Sequence, residues 1–448
     1  MMRRKPNMSL TQTPGQVQSV EQRLKNFDEV DLGYTEEQAK QEAERCLNCP
    51  DRYCAAHCPA HNYIPEFIAE IRAGRFDRAW ELLSRTNPMM EISGRVCPCE
   101  QQCEVRCTRA IKGEPVNIGK LERFIADWHR SNTEPKAPAA ASNGKKVAVV
   151  GAGPAGMTCA LSLAECGFKV SVYEKEDHAG GVPSWGIPAF VLPRNLLDRM
   201  SSQLEQHPNT DIHLNTTLGK DIALSELLAN NDAVFLATGA DQSVALDIPG
   251  SDCPQVLQAA GYLKHSEQFA GKQVLVIGGG NTAIDAARTA LRRGAESVTM
   301  VYRRTEADMP ATKEEISIAK QEGVQIKPLL SPARFVLQGS KLTGLECSAM
   351  MLTAPDYPGG RNNVAPNGQT ELLNCDLAIL ALGFNNQPVE GVDCDQRNRI
   401  IVGKDFSTGT DRVYAGGDAV TGPATFMKAV AAGKDAAAAI FGRFGEML

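Results

Sequence analysis

The sequence predicts an α/β chain in which a helical, cysteine-rich N-terminal region precedes two parallel-sheet domains, the second inserted in the first. Three observations predict it. Eight of the fourteen cysteines fall between residues 46 and 107. Short apolar strands alternate with helices only after about residue 144, the pattern of a parallel sheet. Two strand–glycine–helix units, KKVAVVGAGPAGMTCALSLAECG from 145 and KQVLVIGGGNTAIDAARTALRRG from 272, repeat about 130 residues apart.

The bulk numbers set the frame. A chain of 448 residues exceeds one ordinary core, so two or three domains are expected. Hydrophobic content of 43% and charged content of 22% are those of a soluble globular protein. The net charge of −6 gives no basic footprint for nucleic acid or an anionic membrane. No apolar run reaches membrane-spanning length. The opening MMRRKPNMSLTQTPGQ has no apolar stretch behind its basic residues, so it does not read as a signal peptide. The cytoplasm is the expected compartment, and structural disulfides are disfavoured there. Cys159, Cys166, Cys253, Cys347, Cys375 and Cys394 are scattered and read as small apolar residues without a chemical role.

Residues 1–133 read as mostly helical. EEQAKQEAERCLNC runs as a helix into the first cysteines, and EFIAEIRAGRFDRAWELLSRT has helical apolar spacing. A Pro/Ala/Ser/Asn stretch is expected to be a linker over 134–143. The first α/β domain is expected over 144–243, the second over 244–383, and the return to the first over 384–448.

In the first unit, Gly151-Ala-Gly153-Pro-Ala-Gly156 follows the strand VAVV and opens a helix. Gly151 permits the tight turn, Gly153 lets the backbone approach a pyrophosphate, and Gly156 lets the helix pack close to the strand. The next strand, KVSVYEKE, places Glu174 where a carboxylate can bind the ribose hydroxyls of an adenosine. The second unit reads Gly278-Gly279-Gly280-Asn281-Thr282-Ala283, a GxGxxA variant. Its following strand, SVTMVYRRTE, ends on Arg303 and Arg304 instead of an acid. Guanidinium groups bind a 2′-phosphate through charge-assisted hydrogen bonds, so NADPH is expected over NADH.

Two such Rossmann-like units in one chain suit a flavin in one and a nicotinamide in the other. DRVYAGGDAV, 411–420, is a strand ending in the Gly-Gly-Asp with which two-domain flavin reductases hold the flavin, here supplying Gly417 and Asp418. The helix TFMKAVAAGKDAAAAI follows, its N-terminus suited to negative charge on a reduced flavin. Ala237-Thr238-Gly239 and Ala381-Leu382-Gly383 resemble paired crossings to and from an inserted NADPH domain, a glutathione-reductase-type arrangement. Neither α/β domain contains a CxxC or CxxxxC pair, so electrons are expected to leave through the N-terminal cysteines.

Those cysteines run Cys46-x2-Cys49-x4-Cys54-x3-Cys58-Pro59 and Cys97-x-Cys99-x3-Cys103-x3-Cys107. Zinc sites usually show two CxxC or Cys/His pairs, and disulfides conflict with the compartment. The ending C-x3-C-P is that of bacterial ferredoxin runs, where the last Cys ligates the other cluster. Eight local cysteines match the ligand count of two [4Fe–4S] clusters.

CLNCPDRYCAAHCPAHNYIPEFI, GRVCPCEQQCEVRCTRA, VNIGKLERFIAD, GAGPAG, GGNTAID, YRRTEADMPATKEEI and AGGD together resemble the glutamate synthase small (β) subunit. The same module occurs in the N-terminal part of dihydropyrimidine dehydrogenase and in related NADPH-linked flavoprotein subunits. The resemblance extends from about residue 25 onward. It implies one cluster on Cys46, Cys49, Cys54 and Cys107, and another on Cys58, Cys97, Cys103 and Glu122. Cys99 is a departure, since the family has no ligand there. The softness of thiolate towards iron favours Cys99, and the family pattern favours Glu122. GGVPSWGIPAFVLP, 180–193, with Gly181, looks like the segment beside the flavin.

The resemblance implies an electron-input flavoprotein with FAD, NADPH and two [4Fe–4S] clusters. Hydride would pass to the flavin, and single electrons would leave through the clusters to a larger catalytic subunit. The hydride step needs no acid, base or nucleophile, and no such residue is assigned. A glutamate synthase large chain is the expected partner. A dihydropyrimidine dehydrogenase subunit and a ferredoxin-linked transhydrogenase are the other enzyme readings. A zinc-stabilised nucleotide sensor is the non-enzyme reading.

Overall fold

The computed structural model describes residues 6–133, 141–268, 271–355 and 362–444. Most of the expected linker 134–143 lies outside them, as do the first five residues and the last four. The N-terminal region is built from short helices. α1 (Glu36–Ala43) starts on a capping box in which Thr35 and Gln38 satisfy each other's backbone, and it delivers the chain to Cys46. α2 (Ile64–Arg72), α3 (Phe76–Ser84), α4 (Met90–Val96) and α5 (Ile118–Asn132) follow. Their apolar faces meet in one core. Ile64, Phe67, Ile68 and Ile71 of α2 are buried with Phe76 and Leu83 of α3 and Leu121 and Ile125 of α5. α4 and α5 cross so closely at Gly94 that a Cβ there would lie 2.7 Å from the backbone of Arg123.

The first parallel sheet contains β1 (Lys146–Val150), β2 (Lys169–Tyr173), β3 (Thr210–His213) and β4 (Ala233–Leu236). α6 (Pro154–Glu165) connects β1 to β2. After β4 the chain leaves to build a second parallel sheet. That sheet contains β5 (Val256–Gln258), β6 (Gln273–Ile277), β7 (Ser297–Tyr302) and β8 (Gln325–Pro328). α7 (Asn281–Arg292) follows β6, and α8 (Lys313–Gln321) follows β7. An antiparallel sheet of β9 (Leu330–Gln338), β10 (Lys341–Thr353) and β11 (Asn363–Asn374) is laid on next. β12 (Leu377–Leu380) then enters the second sheet between β6 and β5. The chain returns to the first sheet only for β13 (Val413–Ala415), beside β4, and ends on α9 (Phe426–Phe444).

The sheet orders are β13-β4-β1-β2-β3 and β8-β7-β6-β12-β5. The outgoing chain at Gln242–Ser243 and the returning chain at Phe384–Asn385 pair antiparallel. The central strands are apolar and buried along nearly their whole length, as parallel strands covered on both faces must be. The N-terminal helices share one hydrophobic core with the first sheet. The second sheet buries α7 and α8 on one face and the antiparallel sheet on the other. No described helix is long and apolar enough to cross a membrane.

Candidate active site

The first glycine cradle forms where β1 turns into α6. Gly151 has φ +100, and a Cβ there would lie 2.3 Å from the carbonyl oxygen of Ala237. A Cβ on Gly156 would lie 1.8 Å from the carbonyl oxygen of Gly151, so only glycine lets α6 sit this close. Gly153 is the N-cap of α6 with no side-chain cap, which leaves the first N–H groups of the helix to an incoming anion. Glu174 directly follows β2 and is buried. Its Oε2 accepts from the Ala152 amide at 2.7 Å and its Oε1 from the Glu176 amide at 3.0 Å, bracing the glycine turn.

Two further segments close this cradle. Gly181 runs so near Gly153 that its Cβ would lie 2.8 Å from the Gly153 Cα. Gly417 has φ +67 and abuts Ala155 from the opposite side, at 2.7 Å for an added Cβ. Asp418 opens a short helix beside it, and burial pushes its carboxyl up to about 6. Asn386 Nδ2 donates to the carbonyls of Gly239 (3.0 Å) and Asp418 (2.7 Å), tying the returning chain to the first crossing and to the Gly-Gly-Asp segment.

The second cradle repeats the first. Gly278 has φ +146 and no room for a Cβ beside Ala381, and its amide donates to Val301 O at 3.0 Å. Gly280 is the uncapped N-cap of α7. Asn281 Oδ1 accepts from the Thr312 amide at 3.1 Å, and Thr282 faces the space between the cradles. Arg303 and Arg304 follow β7 directly. Arg303 is exposed, whereas Arg304 donates to the Asn362 carbonyl at 3.0 Å. Asp285 was not anticipated. It is buried on α7, faces the same space, and its carboxyl is driven well up by burial. An acid among Ala283, Ile284, Ala286 and Ala287, on an apolar helical face, is the signal in the sequence that marks it.

One continuous cavity of about 2170 Å³ joins these parts. Its wall includes Gly153, Glu174 and Asp418 from the first cradle, Asn281 and Asp285 from the second, and Cys97 and Cys99 from the N-terminal region. This is about twice the upper range of a small-molecule pocket, room for two nucleotides. The glycine-walled cradle with no space for side chains fits a flavin dinucleotide, and the uncapped helix N-termini fit its phosphates.

The N-terminal thiols gather in two sets. Cys46 interacts with Cys49 and Cys107, and Cys54 with Cys46 and Cys107. Cys97, Cys99 and Cys103 form the second set, with Cys58 and Glu122 beside them. Burial pushes the thiols of Cys46 and Cys58 up to about 11 and that of Cys54 to about 12. Cys99 is held low by hydrogen bonds from the thiols of Cys103 and Cys97. Among the described residues no three His, Cys, Asp or Glu side chains close on a point as a single metal ion requires. Eight soft sulfur donors in two sets have the donor chemistry of iron–sulfur centres. N–H groups already point at two of the sulfurs, from Val116 N to Cys107 (3.5 Å) and from Gln102 Nε2 to Cys97 (3.4 Å). The other described cysteines stay apart from both sets, with Cys159, Cys253, Cys347 and Cys375 buried.

Glu122 is fully enclosed, and burial raises its carboxyl to about 8. Its oxygens accept from Asn87 Nδ2 (2.9 Å), Asn62 Nδ2 (3.1 Å) and Ser93 Oγ. The loop carrying the second thiol set also touches the second α/β domain. Gln101 donates to Pro310 O at 3.1 Å and Lys313 N donates to Glu100 at 2.9 Å, and beside the loop Lys120 of α5 pairs with Glu314 at 3.1 Å.

Two family models match the chain. Residues 23–134 match dihydropyrimidine dehydrogenase domain II, 4Fe-4S cluster, and residues 145–433 match pyridine nucleotide-disulphide oxidoreductase. The chain is 36% identical to the glutamate synthase [NADPH] small chain of Escherichia coli, over 92% of each chain. It is also 36% identical to a putative oxidoreductase of the same organism, AegA, over 95% of this chain and 69% of the relative. A third relative, the NADP(+)-dependent formate dehydrogenase subunit beta of Moorella thermoacetica, is 36% identical over 86% of this chain and 59% of its own length. Among solved structures, Mycobacterium tuberculosis FprA in complex with NADPH aligns with a TM-score of 0.59 at 21% identity, covering 67% of this chain and 84% of that one. T. acidophilum thioredoxin reductase aligns at 0.52 and 20%, covering 67% of this chain and 99% of that one. These two show the fold.

Proposed function

The chain belongs to the glutamate synthase small-chain family of NADPH oxidoreductases, and from that premise we propose that it is an electron-input flavoprotein. It oxidises NADPH by hydride transfer to FAD and passes single electrons through two [4Fe–4S] clusters to a partner catalytic subunit. The observation that carries this reading is the continuous cavity, which has both glycine cradles and the second thiol set on its wall.

The division of labour follows the domains. Residues 144–243 with 384–448 hold FAD, 244–383 hold NADPH, and 1–133 hold the clusters. Gly151, Gly153 and Gly156 admit the pyrophosphate to the N-terminus of α6, and Glu174 takes a ribose hydroxyl. Gly181, Gly417 and Asp418 enclose the rest of the flavin. Gly278, Gly280, Asn281 and Thr282 do the same for the nicotinamide nucleotide, and Arg303 and Arg304 select the 2′-phosphate. When bound, FAD supplies the exchange between two-electron and one-electron chemistry. Cys46, Cys49, Cys54 and Cys107 hold one cluster. Cys58, Cys97, Cys103 and Glu122 hold the other, whose Cys97 stands on the wall of the nucleotide cavity. The protein's part in the hydride step is to hold two rings together and keep water out, and no acid or base takes part.

For the partner we propose a glutamate synthase large chain. The formate dehydrogenase relative favours a second reading, in which a different catalytic subunit receives the electrons. An absorption spectrum of anaerobically purified protein tests the core of the proposal. Flavin bands with a broad shoulder, bleached by NADPH, are expected. A colourless protein would eliminate the redox reading in favour of a nucleotide sensor. Glutamate formation from glutamine and 2-oxoglutarate on mixing with a glutamate synthase large chain tests the partner, and its absence, with the bleaching intact, points to another acceptor.

A further inference from the structure

We infer that Glu100 is a positioning residue for the second glycine cradle: from the cysteine loop it holds the strap 310–313 against the residues that meet the nucleotide. The inference rests on the reading of that cradle as the nicotinamide-nucleotide site.

The strap alternates its partners. Gln101 Nε2 donates to Pro310 O at 3.1 Å, and the Lys313 amide donates to Glu100 Oε1 at 2.9 Å. Between these two contacts, the Ala311 amide donates to Gly279 O and the Thr312 amide to Asn281 Oδ1, each at 3.1 Å. The Pro310 ring meets Gly280, its Cγ lying 3.8 Å from where a Cβ would stand. The cysteine loop therefore takes the two ends of the strap, and the cradle takes its middle. Glu100 and Gln101 are presented together by a one-turn 3-10 helix, Cys99–Gln101. Glu100, Asn281, Thr312 and Lys313 all stand on the wall of the nucleotide cavity.

Lys313 is the first residue of α8, and its N–H is one of the donors that a helix start leaves without a partner. The Thr312 side chain caps the Glu315 amide and leaves that of Lys313 open. The Glu100 carboxylate, from another region of the chain, takes it and meets the positive end of the helix. Arg23 grips the far end of α8, at Gln321 (3.1 Å) and Glu322 (3.0 Å). Glu100 thus acts at the end that carries the cradle contacts. The inserted domain is tied to the first α/β domain through crossings that pair over two residues, so contacts from the N-terminal region help to fix where its cradle sits. By charge alone, an acid on this wall repels an anionic nucleotide, and its removal would tighten binding. By position, its removal loosens the strap and Asn281, and weakens binding. The sign of the effect separates the two roles.

The test measures the Kd of NADP+ by calorimetry on the full chain, purified anaerobically, and on its variants. Glu100→Ala is expected to weaken binding roughly 3- to 10-fold, the worth of one solvent-accessible hydrogen bond, with unfolding temperature and flavin content at the parent's values. Glu100→Gln keeps an acceptor oxygen and is expected to stay within about twofold of the parent. Lys313→Pro deletes only the N–H beyond what the Lys313→Ala control removes, since proline suits a first helical position and Thr312 already has ψ 149. It is expected to match Glu100→Ala, and combining the two is expected to add little. NADP+ is also expected to slow amide exchange over 97–107 in the parent and not in Glu100→Ala, because coupling between two sites is reciprocal. Unchanged or tighter NADP+ binding in Glu100→Ala overturns the inference, as do additive effects of Glu100→Ala and Lys313→Pro. A parent protein with no affinity for NADP+ overturns the nucleotide reading of the second cradle, and the inference with it.

Discussion

Arg23 Nε stands 3.0 Å from Glu322 Oε1, with both side chains buried. The first belongs to the N-terminal region and the second to the α/β insertion. Glu322 also receives Arg288 (3.0 Å) and Arg292 (2.8 Å), whose guanidiniums lie 4.6 and 4.0 Å from the ring centre of Phe190 in the first α/β domain. Val30 N donates to Phe190 O at 2.9 Å. Three parts of the chain therefore meet at one buried ionic knot. Replacing Arg23 by Met removes one of three cations from a buried carboxylate. We expect a loss of about 2 kcal/mol, less than for an isolated buried pair. Faster amide exchange in Asn281–Arg292 is expected with it. Unchanged exchange in that helix would show that Arg23 does not hold the inserted domain.

Gly153 and Gly156 separate folding from binding. A Cβ at 156 collides with a backbone carbonyl, whereas one at 153 meets Gly181 Cα at an ordinary 3.9 Å. Gly156→Ala should cost about 1–3 kcal/mol and leave the protein without flavin. Gly153→Ala should fold normally yet bind FAD more weakly, because only its cavity-facing surface changes. Thermal unfolding and flavin content per chain check both, and equal stability of the two variants would reject the distinction.

Arg303 is exposed at the end of β7, and Arg304 is partly committed to Asn362. Charge-assisted bonds are worth about 1.5–3 kcal/mol, so Arg303→Ala should lower kcat/KM for NADPH roughly 10- to 100-fold. The value for NADH should move by less than about threefold, as it has no 2′-phosphate to lose. A parallel fall for both nucleotides would place Arg303 outside cofactor selection.

Asp418 makes the flavin-free protein sensitive to pH. Burial raises its carboxyl from 3.8 to about 6, so the folded state holds the proton more tightly than the unfolded chain. The resulting stability is present in full below about pH 4 and is lost as pH rises through about 6. At pH 7 the loss is up to about 3 kcal/mol. Asp418→Asn should flatten that dependence and be more stable than the parent at pH 7 without flavin, at the expense of FAD affinity. Urea unfolding at pH 4, 5, 6 and 7 measures it, and an unchanged pH slope would sink the assignment.

Much of the site was legible because its chemistry is written in short motifs. Gly151, Gly153, Gly278 and Gly280 stand at strand-to-helix turns and Gly156 in the first turn of α6, where a glycine motif between a strand and a helix must fall. Asp285 was not legible. A single acid in an apolar helix has no significance until the helix is oriented, and only packing turned it to the cavity. The antiparallel sheet over Leu330–Asn374 was also missed, as its strands gain their partners from each other and one face from the second sheet.

By itself the sequence determined the local parts of this protein: two glycine cradles between strand and helix, a cysteine-rich N-terminal region, and two α/β domains. Such motifs act through local backbone geometry and side-chain type, which neighbouring residues fix. Only the tertiary structure decided how the parts are connected. It turned Asp285 to the cavity, committed Glu122 to three hydrogen bonds, and opened the cysteine loop onto the nucleotide cavity. These relations join residues far apart in the chain, and they arise from burial and the need to satisfy buried polar groups, which no local pattern specifies.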